Sequence, residues 1–212
     1  MEHIPILVLV ISFVCLLAIG TPVAWSIAIS SLLTMLVSIP AMPAFTTVSQ
    51  RMATGLDSFA LLAIPFFILS GELMNKGGIA HRLIAFAKTL VGSLPGGLAL
   101  INVIAAMLMG AIAGSAMASA SAMGSILGPE MEKEGYSKEF GAAVNITSAT
   151  TGLIIPPSNV LIVYSLASGG ASIAALFLAG YIPGIMTGLF LMIVAAFWAK
   201  KKKYKVGKRS SI

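Results

Sequence analysis

Two breaks interrupt the apolar sequence in the middle of this chain, and together they restrict what it can fold into. The first is Gly114 with Ser115, and the second covers residues 152–158. In the second break Pro156 and Pro157 lack backbone N–H groups and disfavour the α conformation in the residues before them. A bilayer offers no partner to backbone groups freed in this way, so they must bond to protein, water or an ion. The pattern therefore indicates a binding cavity formed where two helices are interrupted.

The composition indicates a membrane protein. The 212 residues are 58% hydrophobic and only 9% charged, with a mean hydropathy of +1.01, which is far more apolar sequence than a soluble core of this size requires. We therefore predict an all-α membrane protein. The single Cys15 excludes a disulfide framework, and the widely separated His3 and His81 argue against a metal cluster. We expect no resident cofactor.

The sequence also argues against two other classes of function. It contains no HExxH, no GxSxG and no phosphate-binding Gly-Lys loop, so no activated nucleophile or metalloprotease centre is visible and we predict that the chain is not an enzyme. Its basic residues are not accompanied by an aromatic or polar reading surface, so we expect no nucleic-acid partner.

Five apolar runs are candidates for membrane crossings. They cover residues 4–19, 23–39, 59–73, 140–167 and 173–199. The segment 40–56 is polar enough to leave the membrane, and residues 79–91 form an amphipathic arm suited to the interface.

A re-entrant hairpin is predicted between the arm and the last two crossings. Its arms, residues 98–113 and 117–131, would each rise about 24 Å or less as helices, which is short of the roughly 30 Å hydrocarbon core. Gly114 and Ser115 would form its tip. About five crossings plus one hairpin is an odd count, as one repeat of an inverted-repeat transporter requires.

The charge distribution predicts the orientation. Seven of the thirteen basic residues lie in residues 200–209, which predicts a cytoplasmic C-terminal tail and an N-terminus on the opposite, outer side of the membrane; binding of anionic lipid by the tail is the alternative. We therefore divide the chain into a membrane domain (1–199) and a basic tail or inter-repeat linker (200–212). Within the membrane domain we expect scaffold-like helices (4–74), an interfacial arm (76–93) and a transport-type part (94–199).

Two acidic residues near the third run need separate interpretations. Asp57 is expected to be the N-cap of the helix that begins at Phe59. Glu72 is expected at the membrane interface with a local partner, although a functional role is the alternative for an ionisable group at membrane depth.

The polar residues around the two breaks suit an alkali cation, because Na⁺ is held by hydroxyl, amide and backbone carbonyl oxygens. Ser115, Ser119 and Ala122 share one helical face. The helix ends near Ser115 and Ser158 offer free N–H groups that suit a carboxylate. Ordinary helix packing remains the alternative for these hydroxyls.

A family resemblance comes from the run GSAMASASAMGSILGPEMEKEGYSKEFGAAV followed by TTGLIIPPSNVLIVY, and from SFALLAIPFFILSGELMNKGG and LFLAGYIPGIMTG. The chain resembles the large membrane subunit of tripartite ATP-independent periplasmic (TRAP) transporters, the DctM-like family. The resemblance covers only the N-terminal half of such a subunit, which carries two repeats.

This resemblance implies a sodium-coupled, elevator-type importer of small organic acids such as C4-dicarboxylates or sugar acids in the bacterial inner membrane. It also implies three partners, namely a small DctQ-like membrane subunit, a DctP-like periplasmic binding protein and the second half of the permease. A truncated or structural subunit without transport activity is the alternative. The expected substrate- and ion-binding residues are Gly114, Ser115, Ser119, Asn145, Thr151, Gly152, Pro156 and Ser158, with Ser115, Gly152 and Ser158 as Na⁺ ligands.

Overall fold

The computed structural model describes residues 3–204, and the regular elements in that range are helices. The prediction of an all-α membrane protein is confirmed. The chain divides into two compact units, Met1–Phe59 and Ala60–Ile212.

The first unit contains α1 (His3–Ala18), α2 (Val23–Ser38) and α3 (Ala41–Leu56). Gly20, with φ of 87°, makes the turn between α1 and α2, which pack together. No residue of α1 is buried, and α2 buries only Ser26 and Ser30. Both hydroxyls donate to carbonyls of their own chain segment. In this helix pair the buried side chains are polar and the exposed ones are mostly apolar. This arrangement is expected of helices that face lipid.

The region before Phe59 differs in part from expectation. The segment 40–56 forms the helix α3, with Pro40 at its N-cap and Pro43 in its first turn, where a proline removes no helical bond; that this segment leaves the membrane stays a prediction. The prediction that Asp57 caps the next helix is wrong, since Asp57 is the C-cap residue of α3.

The second unit contains the remaining helices. They are α4 (Phe59–Lys76), which starts at the unit boundary, α5 (Ile79–Val91), α6 (Gly97–Ala113), α7 (Ala116–Lys133), α8 (Lys138–Ala149), α9 (Thr151–Ile154), α10 (Asn159–Ala167) and α11 (Ile173–Lys201). The centre of this unit is α6, which packs against α5, α7, α8, α9 and α11. Consecutive residues from Gly97 to Val103 of α6 are buried, so the N-terminal part of this helix is enclosed on all sides.

The amphipathic arm α5 is connected to the hairpin by a charge pair. Ala80, Ile84 and Ala87 form its buried face, at the three- and four-residue spacing of a helix. Lys88 Nζ lies 2.5 Å from Glu130 Oε1 on α7. The helical arm is thus confirmed, whereas its position at a membrane interface stays a prediction.

Aromatic rings join the turn before α8 to the end of α11. Tyr136 stacks on Tyr204 with ring centroids 4.3 Å apart, and the Ser137 N–H donates to the Tyr204 hydroxyl at 3.3 Å. The hydroxyl of Ser137, followed by its backbone amide, lowers the pKa of Tyr204. Burial raises the pKa of Tyr136 to about 12. The part of the predicted basic tail beyond Tyr204 lies outside the described residues.

The span count stays a prediction. In the described chain only α11 is long and apolar enough to cross a membrane as a single helix. Counting the bent α8–α10 segment as one broken span, and α3 with α4 as another, gives up to three, while α1, α2 and α6 are shorter apolar helices.

Candidate functional site

The predicted hairpin is present as α6 and α7, joined by only two residues. Gly114 has φ of 59°, a left-handed conformation that glycine tolerates, and its N–H bonds to Gly110 O at 2.7 Å. Ser115 is the N-cap of α7 and accepts from the Ala118 N–H at 3.4 Å. The tip is where the sequence predicted it, because Gly114 ends one helix and Ser115 begins the next.

The second break lies between α9 and α10, whose flanking segments differ in direction by 50°. Pro156 and Pro157 stand four residues after Gly152 and Leu153, so those two carbonyls lose their α-helical donors. Ser158 compensates in part, because its hydroxyl donates to Leu153 O at 2.5 Å and accepts from the Leu161 N–H at 3.3 Å.

The start of this break differs from the prediction. Gly152 belongs to the short helix α9, and the backbone becomes extended only at Ile155, with φ of −73° and ψ of 125°. The reason is local, since a proline restricts the residue before it and removes a bond four residues back. Residues 152–154 therefore remain helical, although the Gly152 carbonyl lacks its usual donor.

The two breaks contact each other through backbone atoms. The Asn159 N–H donates to Gly114 O at 3.4 Å, and a Cβ on Gly114 would lie 2.7 Å from Pro157 O. One helical turn away, a Cβ on Gly110 would lie 2.2 Å from the Gly152 Cα. Only glycine permits so close an approach.

Three glycines on α11 pack closely against neighbouring helices. A Cβ would lie 2.5 Å from Ile154 O at Gly180, 2.5 Å from Ile155 Cγ1 at Gly184 and 2.2 Å from Met107 Sδ at Gly188. Gly180 and Gly184 therefore permit close packing of α11 against the broken helix, and Gly188 permits close packing against α6. Pro156 belongs to this packed side, with its Cδ 3.6 Å from the Cβ position of Gly180.

Two of the predicted binding hydroxyls hold the scaffold of the site. Ser119 is fully buried and donates to Ala106 O at 3.2 Å, which joins the two arms of the hairpin. Thr151 is also fully buried and donates to Ser148 O at 2.6 Å. Their assignment as ligands stays a prediction, and their visible contacts are structural.

Asn145 is a residue of α8 whose side chain faces α7, away from the hairpin tip. Its Nδ2 donates to Ala120 O at 2.8 Å, while its buried Oδ1 has no hydrogen-bond partner in the described chain. It lines a cavity of about 290 Å³ with Asn102, Glu132 and Lys138. Asn145 is therefore not brought together with Ser115 or Ser158.

Asn159 is one of the polar residues around the second break, but it was not among the expected binding residues. Its side-chain Oδ1 is buried without a hydrogen-bond partner among residues 3–204, immediately after Ser158 and beside the hairpin tip. A buried amide oxygen normally has a partner. The sequence signal was its place directly after the two prolines and Ser158, but burial was needed to select it from the other polar residues.

Glu72 departs from the expectation of a local partner. It is exposed and forms no ion pair within the described residues, including with Lys76 one turn further along α4. It lines a cavity together with Ser115.

The meeting of the two breaks offers two kinds of chemistry. The Asn159 Oδ1, the Ser158 hydroxyl and the Gly152 carbonyl supply oxygens that suit an alkali cation. The first turns of α7 and α10 supply backbone N–H groups that favour an anion. Within residues 3–204 no group of three or more His, Cys, Asp or Glu side chains is placed to hold a metal ion.

The fold and the site define a class, a helical membrane protein with a helical hairpin packed against a broken helix. The sequence profile described as "Tripartite ATP-independent periplasmic transporter, DctM component" matches residues 10–212. The chain belongs to this DctM family, and the predicted resemblance is confirmed. Because the family is one of transporters, the prediction that the chain is not an enzyme is confirmed as well.

Individual relatives agree with this assignment. The chain is 57% identical to the uncharacterized protein YgiK of Salmonella typhimurium LT2, over 98% of the chain and 48% of YgiK. It is 37% identical to the C4-dicarboxylate TRAP transporter large permease protein DctM of Rhodobacter capsulatus, over 90% of the chain and 46% of that protein. It is 40% identical to the sialic acid TRAP transporter large permease protein SiaM of Vibrio cholerae, over 74% of the chain and 36% of SiaM. The chain spans at most about half the length of these relatives.

Proposed function

We propose that this chain forms the first half of the large membrane subunit of a TRAP-type secondary transporter that imports small organic acids with Na⁺. The observation that carries the proposal is the contact between the two interrupted helices, at which the Asn159 N–H bonds to Gly114 O. Interrupted helices that meet at a cavity are the usual way for such transporters to bind solutes and ions.

The proposed Na⁺ site uses the oxygens of the broken helix. The Gly152 carbonyl lacks a helical donor because Pro156 has no backbone N–H. The Asn159 Oδ1 is buried without a partner in the described chain. Ser158, which lies between Gly152 and Asn159 in the sequence, contributes a hydroxyl. Ser115 contributes the hydroxyl at the hairpin tip. Na⁺ binding would compensate the buried oxygens, which otherwise lose their hydration without gaining a bond.

The proposed substrate is a small carboxylate. The N-terminal turns of α7 and α10 begin at Ser115 and Ser158, and the positive ends of these helices favour a carboxylate group. The names of related permeases refer to C4-dicarboxylates, sialic acid and 2,3-diketo-L-gulonate, all of which are acids. This supports an acidic solute for the present chain without selecting one.

The proposed assembly includes a small DctQ-like membrane subunit, a DctP-like periplasmic binding protein and the second half of the permease. It lies in the bacterial inner membrane with the N-terminus in the periplasm and the basic tail in the cytoplasm. Lys200 and Lys201 at the end of α11 support this orientation through the positive-inside rule.

Reconstitution tests this function. The chain is combined in proteoliposomes with its second half, the small subunit and the binding protein, and uptake of labelled C4-dicarboxylates and sialic acid is measured with and without a Na⁺ gradient. We expect Na⁺-dependent uptake that Asn159→Ala reduces at least about tenfold, the effect of losing one good ligand, while the exposed Val163→Ala on α10 leaves it intact. Stable assembly with no uptake of any acid would favour the alternative, a structural subunit.

A further inference from the structure

A largely apolar groove of about 450 Å³ lies between α8 and the C-terminal part of α11. Its lining includes Val103 of α6, Val144 of α8 and Ala195 of α11, which are buried and form its floor. Val194 and Trp198 of α11 line its side and are 54% and 44% exposed. Three helices thus form a furrow whose apolar wall is left uncovered by residues 3–204.

One end of the groove is polar and aromatic. The ring centroids of Phe140 and Tyr204 lie 5.5 Å apart there, and the Tyr204 hydroxyl accepts the Ser137 N–H at 3.3 Å. Glu139 and Lys202 line the groove at the same end, because they lie next to Phe140 and two residues before Tyr204 in the sequence. Hydroxyl, carboxylate and ammonium groups therefore stand together at this end.

The length of the groove matches one leaflet of a bilayer. From Leu191 to Lys202, both of which line it, α11 rises about 16 Å, which is close to half of the roughly 30 Å hydrocarbon core. Trp198 and Tyr204 stand near the charged end, and these are the aromatic residues typical of a membrane interface. The groove therefore has the length and the polarity of one acyl chain that ends in a headgroup.

The charge at the polar end selects an anionic headgroup. Four consecutive exposed lysines, residues 200–203, outnumber the single carboxylate of Glu139 in the lining. Lys201 Nζ lies 5.2 Å from the centroid of the Trp198 ring, whereas Lys202 lines the groove itself. We propose that this groove binds an anionic glycerophospholipid such as phosphatidylglycerol, with its phosphate at Lys202 and its headgroup hydroxyls at Glu139.

A lipid bound in this way differs from the contact lipid that surrounds any membrane protein. Contact lipid follows the composition of the bilayer, whereas a groove with a charged end should show saturation and a preference among headgroups. The inference goes beyond the proposed transport function. It requires neither Na⁺ nor a second ion site, so either proposal can fail while the other stands.

Quenching of Trp198 fluorescence by brominated lipids tests the groove. The sequence contains two tryptophans, so Trp25→Phe, at an exposed position on α2, leaves Trp198 as the only reporter in the full chain. This protein is placed in phosphatidylcholine nanodiscs that contain a low fraction of brominated phosphatidylglycerol, phosphatidylethanolamine or phosphatidylcholine. We expect phosphatidylglycerol to quench saturably, with an apparent affinity at least about tenfold above that of the other two lipids.

Matched variants separate the groove from diffuse attraction by the basic end of α11. Lys202→Gln should lower the apparent affinity for phosphatidylglycerol at least about tenfold. Lys200→Gln removes an equal charge outside the lining, where salt screens it, and should lower the affinity less than about threefold. Ala143→Leu enlarges a side chain in the groove and should weaken quenching, whereas Ala142→Leu, at the neighbouring exposed residue that lines a different cavity, should not.

Three results would overturn the inference. The first is equal quenching by phosphatidylcholine or phosphatidylethanolamine, which would indicate contact lipid without selection of an anionic headgroup. The second is an equal loss of affinity in Lys200→Gln and Lys202→Gln. The third is disappearance of the quenching when the second half of the permease is assembled with the chain, which would assign the groove to a protein contact.

Discussion

Gly110 on the hairpin and Gly152 on the broken helix are packed backbone to backbone. A Cβ on Gly110 would lie 2.2 Å from the Gly152 Cα, and one on Gly152 would lie 2.7 Å from the Gly110 Cα. Neither backbone segment can move away without separating α6 from α9. This pair of glycines therefore determines how closely the two interrupted helices approach. The contact between Gly114 and Asn159 one turn away depends on it.

Gly110→Ala should therefore destabilise the second unit. The added methyl meets backbone atoms that cannot rotate away, and overpacking of this kind costs about 1–3 kcal/mol. Thermal unfolding in detergent should show a lower midpoint for Gly110→Ala than for the parent chain.

Gly128→Ala is the matched control for this prediction. Gly128 also lies inside a hairpin helix, but nothing stands within 4 Å of its Cβ position. The substitution should be neutral or stabilising by up to about 1 kcal/mol, as expected for alanine in a helix. Equal midpoints for the two variants would contradict the close contact at Gly110.

The elements that the sequence predicted well depend on local chemistry. Gly114 ends α6 because glycine adopts a positive φ, and Ser115 begins α7 because its hydroxyl accepts a backbone N–H. Pro156 and Pro157 stand next to each other, so two consecutive helical donors are missing, whereas the single Pro65, Pro129 and Pro183 lie inside continuous helices. These effects act over four residues or fewer, so both breaks could be located without coordinates.

The misplaced features depend on tertiary contacts or on the length of a helix. Asp57 was assigned to the wrong helix because α3 extends to Leu56. Asn145 and Asn159 look alike in sequence, and only packing shows that Asn159 lies at the meeting of the breaks while Asn145 faces a different cavity. Likewise, Glu72 was expected to have a local partner, but its neighbours across the cavity come from a distant hairpin.

Asn159→Ala should separate stability from ion binding. In the absence of Na⁺ the substitution removes a buried amide oxygen that has no partner in the described chain, so the free energy of unfolding should fall by no more than about 0.5 kcal/mol, or should rise. The stabilisation that Na⁺ gives the parent chain should disappear, because ligand binding to the folded state raises its stability.

The measurement is a thermal unfolding series in NaCl and in choline chloride at equal ionic strength. Val160→Ala, at an exposed position next in sequence, should retain the Na⁺ response. An undiminished response in Asn159→Ala would exclude its oxygen as a ligand.

The pair of Lys88 and Glu130 should contribute little to stability. Their side chains are 33% and 38% exposed, so water and salt screen the attraction, and such pairs usually contribute at most about 1 kcal/mol. A double-mutant cycle with Lys88→Met and Glu130→Gln should give a coupling energy in that range that falls as NaCl is raised. A coupling of several kcal/mol, unaffected by salt, would show that α5 is held to α7 by a fully desolvated charge pair.

Tyr136 should make the stability of the fold sensitive to alkaline pH. Burial raises its pKa to about 12, whereas the unfolded chain should have a value of about 10. The contribution of the neutral phenol to the free energy of unfolding is therefore complete below pH 10. It is lost as the pH rises towards 12, by up to about 3 kcal/mol.

Because the hydroxyl has no hydrogen-bond partner within residues 3–204, Tyr136→Phe should keep its midpoint at pH 8 and show a shallower decline of unfolding temperature between pH 10 and 11.5. Tyr181→Phe, at an exposed position on α11, should decline like the parent chain, and equal slopes for all three proteins would contradict the burial of a titrating phenol at Tyr136.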